Sequence, residues 1–197
     1  LRAIRFAGSV GGRMSKDTWE ALKKNPDLSG VSAERIRDEF VKGITKAKNV
    51  PTYLKMAHSL GMFRYIFPNL RINTKFTGSR DYIVTIANLL HMQSDSKVYQ
   101  VLKQMKYTNQ EVRDISHLLK MLNFNVQDIY ELKVQEKNTT LNSNQIKDWH
   151  SIVGGKVKKI WNFKLSVSSK DAIAQGFKGK DIGNYIKNKE QELFNKF

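Results

Sequence analysis

Residues 107–122, YTNQEVRDISHLLKML, set the reading of the whole chain. Apolar side chains fall at Val112, Ile115, Leu119 and Leu122, the rhythm of one helix face. Thr108 stands where an N-cap belongs, Glu111 follows three residues later to complete a capping box, and Tyr107 is placed to staple onto Val112. The same spacing recurs at Ile83, Ile86 and Leu90, while period-two alternation is rare. The expected fold is therefore all-α. With no repeat of fixed period, it should be an irregular multi-helix array rather than a solenoid.

Punctuation outside this stretch divides the array. Ser168 with Asp171 three residues on starts a short helix that Gly176 and Phe177 should stop. Pro26 with Asp27, Pro51 after Asn49 and Val50, and Pro68 mark further boundaries. Residues 136–145 are polar apart from Leu141, so a loop is expected there, and with it a hinge between body and tail. The stripe Tyr53, Leu54, Ala57, Leu60, Met62, Phe63, Tyr65, Ile66 and Phe67 reads as core.

Composition limits the function classes. The 197 residues are 40% hydrophobic and 10% aromatic, enough for a packed core. Thirty-four Lys and Arg against eighteen Asp and Glu leave a net charge of +16, which favours a polyanionic partner, nucleic acid first and anionic membrane second. No apolar run is long enough to span a bilayer and no leader-like segment opens the chain, so a cytoplasmic protein is expected. The absence of cysteine excludes disulfides, thiolate zinc sites and thiol catalysis. The histidines, His58, His91, His117 and His150, are too widely spaced for a recognisable metal motif. No glycine-rich phosphate loop occurs.

Three segments carry a family resemblance. Leu-Arg-Ala-Ile-Arg-Phe at 1–6, continued by Ala7 and Gly8, resembles the L-R-A-x-R-F helix of class II tRNA nucleotidyltransferases, the CCA-adding and poly(A) polymerase family. Val31 to Phe40 is similar to that family's V-S-x-E-R-I-x-x-E helix, with Trp19 on the helix between. Ser169 to Lys178, completed by Ile182 and Gly183, is similar to the tail segment G-K-D-L-x-x-x-G-F-K-P-G-P-x-I-G. There Gly179, Lys180 and Asp181 stand in place of P-G-P-x, one residue shorter and without the rigid prolines.

The resemblance implies neck (1–48), body (49–135) and tail (136–197) domains of an enzyme that adds CCA, or A, to RNA 3′ ends from CTP and ATP, with tRNA as substrate. It further implies a catalytic head before Leu1 that supplies a Mg-binding carboxylate pair. No D-x-D motif occurs in this chain, so catalytic residues are not expected within it. The alternative is a stand-alone helical module that binds tRNA without catalysis.

Candidate site residues follow. Arg2 and Arg5, three apart on one helix face, can point together at a phosphate or at carboxylates of the head, or can be ordinary surface arginines. Glu34, Arg35 and Glu39 are implied by the resemblance to brace the neck against the nucleotide pocket. Glu34, Asp38 and Lys42, at i, i+4 and i+8, read as a solvated, salt-bridged face. Lys156, Lys158, Lys159, Trp161, Phe163 and Lys164 interleave cations with aromatics, a pattern that suits either RNA or an amphipathic segment burying its rings. Lys178 and Lys180 flank Gly179 before the last helix, where a phosphate could meet both lysines and free helix amides. By resemblance, both lysine clusters are candidates to grip the tRNA elbow.

Overall fold

The structure, a computed structural model, describes residues 1–11 and 14–197. Among these the regular elements are thirteen α-helices and one 3-10 turn, with no strand. They form two compact units, Leu1–Ser116 and His117–Phe197.

The first unit is built from α1 (Arg2–Val10), α2 (Lys16–Lys24), α3 (Ala33–Lys46), α4 (Val50–Ser59), α5 (Phe63–Ile66), α6 (Tyr82–Leu90) and α7 (Asp95–Gln104), and α8 (Asn109–Leu122) begins in it. Local chemistry starts these helices where the sequence places the signals. Ser32 accepts from the Arg35 amide at 3.4 Å, Asn49 from Thr52 at 2.9 Å with Pro51 in the first turn, and Asp81 from Val84 at 3.1 Å. The Thr108 box closes in both directions, Thr108 N to Glu111 at 2.6 Å and Glu111 N to Thr108 Oγ1 at 3.2 Å.

The expected aromatic stripe is core, with Tyr65 alone only half-buried. Phe40 of α3 lies at its centre, edge-on to Phe63 (6.0 Å) and Phe67 (5.6 Å) and tilted against Tyr53 (6.2 Å). Two glycines let the helices close on Tyr53. A Cβ on Gly8 would touch the ring at 3.4 Å, and one on Gly43 would fall 2.7 Å from Cε1 and nearer still to Cζ and Oη. Residues 68–81 form an ordered strap without helix. Buried amides hold it: Asn73 N donates to Leu89 O (2.9 Å), Asn73 Nδ2 to Asn88, and Asn88 Nδ2 to Lys75 O (3.2 Å) and Thr77 Oγ1 (3.0 Å).

The second unit contains α9 (Ile129–Glu136), α10 (Ser143–Val153), α11 (Val157–Asn162), α12 (Ser169–Ala174) and α13 (Lys180–Lys196). Trp149, fully buried, donates its indole N–H to Leu118 O at 3.0 Å, and Phe194 is edge-on to Phe124 (5.3 Å) and Phe163 (5.2 Å). The α12 box forms between Ser168 and Asp171. Its stop is a Schellman turn: Gly176 at φ 86°, its N–H on Ile173 O (2.9 Å) and the Phe177 N–H on Ala172 O (3.1 Å).

The expected hinge at 136–145 falls inside this second unit. Glu136 ends α9, and Asn142 with Gln145 forms the capping box of α10, so much of the polarity that reads as linker is helix-end chemistry. Leu141 between them is buried.

Candidate nucleic-acid interface

On α1 the two arginines part company. Arg5 Nε donates to Glu39 Oε2 at 2.7 Å, with side chains only 11% and 18% exposed, and so joins α1 to α3 across 34 residues of sequence. Burial works against ionising Glu39, but the hydrogen bond and charge of Arg5 prevail and hold its carboxyl below the usual range. Arg2 is exposed. Both guanidinium groups lie over the Phe6 ring, at 5.4 Å for Arg2 and 4.3 Å for Arg5. The two arginines thus divide, Arg5 bound to a carboxylate within the chain and Arg2 at the surface. Glu34 and Arg35 are exposed on the first turn of α3. Glu34, Asp38 and Lys42 are all exposed, as a solvated face requires, and the salt bridge on it runs from Asp38 to Arg37 at 2.7 Å. Arg37 also donates to Lys106 O.

In the second unit the lysine–aromatic segment divides by depth. Phe163 is buried against Phe194 and Phe197, whereas Trp161 is half-buried. Lys159 lays its ammonium 4.8 Å from the Phe194 ring centre, and Lys164 stands 5.9 Å from Trp161. Lys156 and Lys158 are exposed. The ring-burying reading of this segment therefore holds for Phe163, while Trp161 and its neighbouring lysines stay open to solvent.

A residue that sequence reasoning missed organises this end of the unit. Lys133, 4% exposed, donates to Glu136 at 2.5 and 2.6 Å and to the carbonyls of Ile160 and Trp161 at 3.3 Å each. It thereby satisfies the last carbonyls of α11, where a cation also meets the negative end of the helix. Burial pushes the Lys133 ammonium down despite its pairing. For Glu136 burial acts upward, but His117, 3.9 Å away, and the hydrogen-bonded Lys133 ammonium outweigh it and keep the carboxyl low. Charged residues read as exposed in a sequence, and nothing in the α9 pattern marks Lys133 as the exception.

Lys178 and Lys180 are exposed on either side of Gly179, which takes φ 54° at the start of α13. Asp181 sits in that helix's first turn, so any anion there would share the free amides with a carboxylate. Nearby, Phe177 and Tyr185 pair their rings at 4.7 Å.

Between α10 and α11 lies a cleft of about 480 Å³, lined by Ile146, Lys147 and His150 from one helix and Lys158, Trp161 and Asn162 from the other. Among the described residues no group of three or more His, Asp or Glu is placed to hold a metal ion, so these side chains do not fit a Mg site and no chemistry is assigned to the metal in this chain. No helix among them is long and apolar enough to cross a membrane.

Fold and surface together define a strongly basic protein, with helices as the only regular elements among the described residues, whose exposed cations and half-buried rings suit a polyanion. Comparison narrows that class. The family described as "Probable RNA and SrmB- binding site of polymerase A" matches residues 13–72, the stretch that includes α3 and the aromatic core. The tRNA nucleotidyltransferase cca1 of Schizosaccharomyces pombe is 41% identical over 86 residues, 41% of this chain and 17% of that protein. A solved CCA-adding enzyme in complex with CTP superposes over 98% of this chain and 54% of its own, with a TM-score of 0.59 at 19% identity, a likeness of fold. The chain is thus similar, in sequence over part of its length and in fold over nearly all of it, to members of the CCA-adding enzyme and poly(A) polymerase family. It spans about half of that solved structure and a sixth of the curated relative it matches.

Proposed function

We propose that these 197 residues are the RNA-holding neck, body and tail of a cytoplasmic nucleotidyltransferase that adds CCA, or A, to the 3′ ends of tRNA from CTP and ATP. The metal-bound carboxylates of the reaction belong to a head outside this sequence, and the chain contributes grip and position. The observation that carries this reading is the exposure of Lys156, Lys158 and Lys164 on the segment that bears half-buried Trp161, with Lys164 5.9 Å from its ring and with Lys178 and Lys180 exposed on the same unit. Such cations neutralise phosphates and release counterions, while a partly open ring can stack on a base. On the neck, the Arg5–Glu39 bridge fixes α1 against α3, leaving Arg2, Glu34 and Arg35 exposed toward a nucleotide pocket completed by the head.

The test is the salt dependence of tRNA affinity. Each lysine that neutralises a phosphate contributes about 0.9 to the slope of log K against log salt on duplex and about 0.7 on single strands. Reversing Lys156, Lys158 and Lys164, or separately Lys178 and Lys180, should flatten the slope and weaken binding. An unchanged slope removes the cluster from the interface. The second reading is a stand-alone helical module that binds tRNA without catalysis. Nucleotide-addition assays with and without a supplied head domain separate the two readings.

A further inference from the structure

The α10–α11 cleft has a composition that packing alone does not require. Its floor includes the half-buried Trp161 ring and the buried Ile146. Its rim carries Lys147 and Lys158, both exposed, and none of the described residues lining it is acidic. His150 lines it as well and has a buried Nδ1 with no hydrogen-bond partner. Buried polar atoms normally find partners, and an imidazole nitrogen can donate or accept according to its tautomer. Asn162 adds an amide able to do both. Lys133 anchors the wall, because its bonds to the Ile160 and Trp161 carbonyls hold the end of α11 that carries the ring.

We propose that this cleft receives a single unstacked nucleotide of the bound RNA, its base against Trp161 and within hydrogen-bond reach of His150 and Asn162, its phosphate between Lys147 and Lys158. The inference rests on the RNA-binding reading above and extends it from a basic surface to a defined site. The volume lies within the range of small-molecule pockets and is too confined for a duplex. An acidic peptide would satisfy the two lysines but would leave the aromatic floor and the imidazole unused. A nucleotide uses all three, since every base has a stacking face and a hydrogen-bonding edge.

The experiment uses the 197-residue protein and two probes, a uridine hexanucleotide and an abasic RNA hexamer of equal charge, with affinity followed by anisotropy at one salt concentration. The wild type should prefer the uridine hexamer. Trp161→Ala should lower that affinity about 5- to 150-fold, the range expected for one lost base–aromatic stack, and leave the abasic hexamer unaffected. Trp161→Phe should retain most of the preference, and His150→Ala, which leaves the ring in place, should reduce it. Equal affinity of the wild type for both probes, or a preference that Trp161→Phe, Trp161→Ala and His150→Ala all leave intact, overturns the site while the basic surface stands. Binding of neither probe nor tRNA overturns the RNA-holding function itself. Displacement of the uridine hexamer by poly-glutamate as readily as by free uridine oligomer overturns the choice of a nucleotide as occupant.

Discussion

Replacing Gly43 with alanine sets two physical effects against each other. Gly43 is in the interior of α3, where alanine is favoured over glycine by about 0.8–1.0 kcal/mol of intrinsic helix propensity. The new Cβ, however, would lie 2.7 Å from Tyr53 Cε1 and closer to Cζ and Oη, against an ordinary carbon contact of about 3.5–4.0 Å. The ring must retreat by about 1 Å or more. It has little room to do so, because Tyr53 is fully buried, packs 3.4 Å from where a Cβ on Gly8 would stand, and holds its hydroxyl 3.5 Å from Phe40 O. Overpacking at a rigid buried ring costs about 3 kcal/mol, at the upper end of the usual range. The net is a loss of about 2 kcal/mol, or about 4–8 °C in Tm for a chain of this length. Calorimetry on Gly43→Ala gives the answer directly, and repeating it in a Tyr53→Leu background isolates the clash. In that background alanine at 43 should cost nothing or stabilise. A wild-type or higher Tm for Gly43→Ala alone would mean that Tyr53 moves freely, and would refute the account of how α1, α3 and α4 close.

Other expectations follow from single contacts. Glu39→Gln should cost about 1.5–3 kcal/mol by removing a charged hydrogen bond. Because the folded Glu39 carboxyl lies below its ordinary value of 4.5, its contribution is complete above that pH and disappears as pH falls through the lower folded value, so acid denaturation of Glu39→Gln should be less steep than that of wild type between about pH 5 and 3. Lys133→Met leaves Glu136 without its ammonium beside buried His117 and should lower urea stability by about 3 kcal/mol; Lys133→Met with Glu136→Leu should recover a large part. Thr108→Ala opens the α8 capping box and should cost about 1 kcal/mol in the same assay.

Helix ends were the most legible feature of the chain. Thr108 with Glu111, Ser168 with Asp171, Asn49 ahead of Pro51 and the Gly176 stop all form as read, since each depends on groups a few residues apart. The aromatic stripe from Tyr53 to Phe67 was legible for the same reason, its spacing being its face. The polar run at 136–145 is loop at 137–142 and helix end on either side, because capping residues and linker residues share a composition, and here Asn142 and Gln145 are caps. Of the candidate site, the lysine–aromatic segment stood out as a string, but only depth separates Phe163 from Trp161.

The sequence by itself determined the helical class, the capped ends and the basic character, because period, caps and net charge are local or additive properties. Tertiary structure alone decided that Arg5 faces Glu39, that Lys133 is buried beneath Trp161, that Asn73 and Asn88 hold the strap, and that α10 and α11 enclose a cleft with Lys147 and His150 on one wall. Those pairings join residues 11 to 34 apart, and their partners are selected by which helix faces meet in the packed core.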